Sequence, residues 1–171
     1  DLREAQANLQ AAQARFEALR DPTPAKVSTA RLRLIEAQTA LATARDSLSA
    51  AKTNAEQELS RATHSLTQAQ ASYATALQNW QYVQDSGRDP YNPSTTDSNG
   101  KAKPNKLNNA ERQKYYEAFV QAEAALRNAE SAVKQAQVGY DSARQKESAE
   151  VPQADASMAD AQQQLDALMH P

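Results

Sequence analysis

The chain has 171 residues, no cysteine, and a net charge of −2 from 19 basic and 21 acidic side chains. That excludes disulfides and thiolate metal sites, and it points to neither nucleic acid nor an acidic membrane surface. With 3 Gly, 2 Phe, about a fifth Ala and a mean hydropathy of −0.82, the composition is that of long helices rather than of a thick apolar core.

Apolar residues recur at spacings of three and four along most of the chain, the signature of a helix with one buried stripe. The first run is Leu2, Ala5, Leu9, Ala12, Phe16 and Leu19. The second carries Val27, Ala30, Leu34, Ala37, Leu41, Ala44, Leu48, Leu59, Leu66, Tyr73, Trp80 and Val83. The third carries Tyr115, Phe119, Leu126, Val133 and Tyr140, and the last Val151, Ala154, Met158, Leu165 and Leu168. Such heptads predict an all-α, long antiparallel coiled-coil helical hairpin. Large residues alternate with Ala along the seam, which lets two helices approach closely. Between Leu48 and Leu59 the steps are three, four, four, a stutter that locally unwinds a supercoil.

Proline sets the punctuation. Asp21-Pro22-Thr23-Pro24 stops one helix and starts the next, with Thr23 as N-cap and Pro24 at the first helical position. Pro152 interrupts the returning arm. A proline joint in each arm is therefore expected: 1–20 and 24–85 outgoing, a tip loop at 86–107, then 108–150 and 152–171 returning. The seam keeps phase across both breaks, which favours collinear arms; end helices that fold back are the alternative. Asn108 or Asn109 caps the returning helix, with Glu111 in its first turn. The outgoing arm is longer by about 21 residues, or about 30 Å at a rise of 1.5 Å per residue. Either the loop runs back along a projecting helix end, or Tyr73 and Trp80 meet Tyr115, Tyr116 and Phe119 and the N-terminal end protrudes; the pattern leaves both open.

No catalytic set is present. His64 and His170 sit in no metal-ligand spacing. Asp97-Ser98-Asn99-Gly100-Lys101 has Lys where a calcium loop needs oxygen, and Asn108 where the closing Glu belongs. Asn92-Pro93-Ser94 fails as a glycosylation acceptor because Pro is in the middle. No cofactor, metal or enzyme activity is expected. Seven of the nine aromatics lie between Tyr73 and Phe119. Tyr73, Trp80, Tyr115 and Phe119 are on the seam, whereas Tyr82, Tyr91 and Tyr116 are off it. With Arg88, Lys101, Lys103 and Lys106 these give the tip an aromatic, mildly basic surface, and Arg88, Asp89, Tyr91 and Lys101 are the candidate tip contacts. The seam flanks are rich in Gln, Ser, Thr and Asn, a composition suited to side-by-side packing. No apolar run approaches the roughly 18 residues of a membrane span, and no signal peptide is visible. Both ends fall in mid-pattern, which predicts a piece of something larger.

The stretch from Leu2 to Ala44, with its Ala-Gln-Ala repeats and the Leu19-Arg20-Asp21-Pro22-Thr23-Pro24 joint, resembles the hairpin arm of HlyD-type membrane fusion proteins, or periplasmic adaptor subunits. The returning run Tyr115-Tyr116-Glu117-Ala118-Phe119-Val120-Gln121-Ala122-Glu123-Ala124-Ala125-Leu126 is similar too, as is Trp80-Gln81-Tyr82-Val83 to Gly87-Arg88-Asp89-Pro90. The resemblance implies an adaptor of an ABC or RND-type exporter, in the cell envelope outside the cytoplasmic membrane, anchored through a segment not in this chain. It implies rings, often hexameric, and lipoyl-like and β-barrel domains that are absent here. The Arg, Leu and Ser that such tips bring to a TolC-like channel are not at this tip; Arg61, Leu66 and Ser72 lie inside the helix, so docking to such a channel is in question. The expected function is a spacer and assembly hairpin of efflux or secretion machinery; the alternative is a structural coiled-coil segment of a cell-surface or filament protein. Leu126→Asp puts a charge into the narrow seam, so it is expected to cut helicity or the melting temperature sharply, read by circular dichroism; an unchanged melt would refute the seam assignment.

Overall fold

The computed structural model describes residues 2–20 and 24–170, with side-chain surroundings given for 4–17 and 24–170. Helix α1 is Leu2–Arg20, α2 is Pro24–Ser86 and α3 is Asn109–Met169. Between α2 and α3 stand two short strands, β1 at Ser94–Thr96 and β2 at Ala102–Pro104. The expected two-armed coiled-coil hairpin is thereby corrected: the chain forms three helices and a small antiparallel β-hairpin. The strands escaped the sequence pattern because three residues are too few to show a two-residue period, and all six are exposed.

The first proline joint and the Thr23 cap lie outside the described residues. The second joint is not a break in the returning arm, because Pro152 sits inside helix α3, which continues through it. Proline there removes one backbone donor, at a local cost of roughly 3 kcal/mol. Packing on either side of it sustains the helix. Val151, Ala154 and Met158 stay half-buried. Lys52 Nζ meets Glu147 Oε2 at 2.5 Å before the proline, and Arg45 meets Asp155 at 3.2 Å after it.

Two compact units divide the chain. The first combines residues 1–52 and 143–171. Its ion pairs step forward on α2 and backward on α3, so these helices run antiparallel. Ala30, Leu41 and Leu165 are its buried residues. Residues 4–17 of α1 are all exposed, with Leu9 at 59% and Phe16 at 64%. The stripe on α1 is thus real as a pattern and open to solvent in the structure.

The second unit spans residues 53–142. Leu59, Leu66, Tyr73, Trp80, Tyr115, Phe119, Leu126, Val133 and Tyr140 are half-buried there, and Val83 is 1% exposed. Tyr73 packs on Phe119 with ring centroids 5.8 Å apart, and Trp80 on Tyr116 at 5.3 Å, both tilted. Aromatic pairs at such separations add roughly 0.5–1.5 kcal/mol beyond area burial. These contacts choose the register with the helices tightly paired at the tip.

Both helix ends facing the loop are finished by local chemistry. Gly87, at φ 66°, follows α2, and its N–H donates to Val83 O at 2.9 Å, the single-bond left-handed helix stop. At the start of α3, Glu111 N–H donates to Asn108 Oδ1 at 2.9 Å while Asn108 N–H donates to Glu111 Oε2 at 2.8 Å, a reciprocal capping box. Gly87→Ala is expected to cost about 1 kcal/mol by straining a left-handed residue, and Asn108→Ala about 1 kcal/mol by removing the cap. Urea melts followed by circular dichroism measure both; a neutral Gly87→Ala would contradict the helix stop.

Candidate functional site

The tip begins with the turn after α2. Leu107 N–H donates to Gly87 O, Arg88 bridges Lys106, and Asp89 N–H donates to Asn105 O at 3.2 Å. Beyond them β1 and β2 pair in the register Ser94 with Pro104, Thr95 with Lys103 and Thr96 with Ala102. Asp97 organises the far loop: its Oδ1 accepts from Asn99 N–H and Lys101 N–H, both at 2.9 Å, and Gly100 takes φ 77°. The Asp-Ser-Asn-Gly run is therefore turn chemistry. Among the described residues, no group of three or more His, Cys, Asp or Glu side chains is placed to hold a metal.

Asp89 is the hub of the near side. Its Oδ1 accepts from Tyr91 N–H at 2.9 Å, Asn92 N–H at 3.3 Å and the Tyr115 hydroxyl at 3.0 Å. Tyr91 then leans toward α2, where Asn79 Nδ2 donates to its hydroxyl at 2.8 Å. One loop carboxylate thus ties α3 to the loop, and one loop phenol ties the loop to α2. The backbone hydrogen bond from Tyr91 is the largest cause that lowers the Asp89 pKa below its ordinary value, opposed by burial and aided by Tyr115 and Asn92. Burial is also the first cause that raises Tyr115, to about 12, followed by the Asp89 hydrogen bond and charge.

This bracing leaves an open cleft of about 740 Å³ between the helices and the loop. Helix α2 contributes Ala71, Ser72, Thr75, Ala76 and Asn79, all on one face. Helix α3 contributes Glu111, Lys114, Tyr115 and Ala118, and the loop gives Asp89, Tyr91 and Leu107. The alanines leave room where larger seam residues would close it.

Of the four candidate tip contacts, Asp89 and Tyr91 come together at this cleft, Arg88 stands beside it in the bridge to Lys106, and Lys101 lies on the far turn. Tyr91 is 68% exposed and Tyr116, off the seam, is 43% exposed while still packing on Trp80. Asn79, Leu107 and Glu111 were not marked as site residues by the sequence. Only Glu111 carried a signal, as a helix-start residue.

No family model matches the chain, and neither a curated protein nor a solved structure matches it. These comparisons find no coiled-coil, HlyD-family or transport-specific signature, which corrects those labels; the dominantly helical composition stands.

The sign of the pH dependence follows from the two shifts. Tyr115, raised in the folded state, favours folding fully below pH about 10 and loses that contribution as pH rises toward 12. Asp89, lowered, favours folding above its ordinary pKa of 3.8 and loses the contribution as pH falls below it. Alkaline absorbance titration is expected to show one tyrosine ionising near pH 12 in the folded chain, moved downward in Asp89→Asn. Ionisation of all six tyrosines near 10 would refute this environment.

Proposed function

We propose that the chain is a spacer and assembly element, the extracytoplasmic strut of an export adaptor subunit, and not an enzyme. The observation that carries the assembly part is on α2: Leu32 and Ile35, off the buried stripe, are 59% and 57% exposed. They stand three residues apart on one face, and Ile35 lines an open groove with Thr39, Thr43 and Ser47, which Glu36 and Glu150 also line. Neighbouring exposed aliphatic side chains beside small hydroxyl residues suit a contact with another copy that keeps Glu36 and Glu150 at its wet rim.

The spacer part is supported by the antiparallel pairing of α2 and α3 and by the two prolonged helices themselves. The export context is supported by the sequence resemblance of the two helical arms. In it, other copies of the chain would be the lateral partners, and an inner-membrane exporter would be met through domains outside this chain. No helix among the described residues is long and apolar enough to cross a membrane.

The test is in-cell photo-crosslinking of the whole protein, with a photoreactive residue replacing Ile35. Crosslinks to a second copy, in a membrane fraction that also retains an exporter subunit, are the expected result. Crosslinks to filament or cell-wall components without an exporter would overturn the export context, and the absence of any copy-to-copy crosslink would overturn the assembly role.

A further inference from the structure

We propose that the cleft under the tip loop binds a small organic cation with an apolar body. The volume, about 740 Å³, falls in the roughly 300–1,000 Å³ range of small-molecule sites. Its floor is apolar, from Ala76, Ala118 and Leu107, and Tyr91 and Tyr115 add aromatic rings.

The charges on the lining select the sign of the ligand. Asp89 and Glu111 are half-buried, whereas Lys114, the one basic residue of the lining, is exposed. Solvent screens an exposed ammonium far more than a half-buried carboxylate. The structural hydrogen bonds also leave acceptor capacity. All three Asp89 bonds go to Oδ1, and the Glu111 cap uses Oε2, so each carboxylate keeps its second oxygen for a ligand. Tyrosine faces attract cations through their quadrupole and repel anions. Tyr115, held neutral by burial and by Asp89, keeps that face across the ordinary pH range. An anion would meet two carboxylates and two electron-rich rings; a neutral ligand would gain no charge attraction from either.

Two substitutions remove charge without removing the structural bonds. Asp89→Asn keeps an oxygen that accepts from Tyr91, Asn92 and Tyr115, and Glu111→Gln keeps the cap. Ala118→Trp fills the cleft from α3. The probes are tetraphenylphosphonium and tetraphenylborate, two rigid ions of nearly the same shape and opposite sign, measured by isothermal titration calorimetry on the whole chain. The phosphonium is expected to bind at least tenfold more tightly than the borate. Asp89→Asn and Glu111→Gln should each weaken it about threefold or more in a chain that stays folded and helical by circular dichroism at the assay temperature, and Ala118→Trp should abolish it. Borate binding equal to or tighter than phosphonium, no binding of either ion, or phosphonium affinity unmoved in both charge variants would overturn the proposal. The strut proposal above does not depend on any of these outcomes, since none of the variants touches Leu32 or Ile35.

Discussion

One stripe of α2 buried against one stripe of α3 is the interaction on which the remaining structure depends. The Ala, Gln, Glu, Lys and Arg of these helices have favourable intrinsic propensity, but in proteins most helical stability comes from tertiary packing of an amphipathic face. What holds them is the removal of apolar surface from water at roughly 25 cal/mol per Å². Most seam side chains are only half-buried, so each contributes a fraction of its full transfer energy, and the contribution accumulates by repetition. Ala at alternate positions makes this efficient, because the small side chain lets the opposite Leu or aromatic ring reach the partner helix. The same repetition explains Pro152. A local loss of roughly 3 kcal/mol is tolerated where seam contacts and ion pairs continue on both sides of it.

At the tip the logic changes from burial to hydrogen bonding. Gly87 ends α2, Asn108 and Glu111 start α3, and Asp89 and Tyr91 bind the loop to both helices. None of the described buried side-chain polar atoms lacks a partner, so the loop is closed without an unsatisfied buried side-chain group. The Ala-lined gap remains beside this polar brace. A cleft with ionised carboxylates, neutral phenols and an apolar floor follows from the same residues that hold the loop in place.

Much of the helical layer was legible in the sequence. Most positions marked by spacing from Val27 to Leu168 are the ones the structure protects most from solvent, because a three-and-four period and a single contact face are the same fact; Ala51, marked by the three-four-four stutter, is exposed and Lys52 is half-buried in its place. The stripe of α1 shows the limit of that inference. Leu9 and Phe16 repeat correctly, yet both are exposed, since periodicity reveals an apolar face and not what covers it. Pro152 misled because a local rule was applied where tertiary packing decides. The β-hairpin and the cleft were illegible for another reason. Asn79, Tyr91, Asp89 and Tyr115 converge from 37 residues of sequence through hydrogen bonds to side chains, and no spacing rule encodes that.

The register of α2 on α3 is the central claim, and proton NMR tests it most directly. Ring protons of Tyr73 and Phe119, with centroids 5.8 Å apart, are expected to show a nuclear Overhauser contact, as are those of Trp80 and Tyr116 at 5.3 Å. Assigned aromatic spectra in which Tyr73 or Trp80 instead contacts residues one or more helical turns away on α3, or no residue of α3, would contradict it.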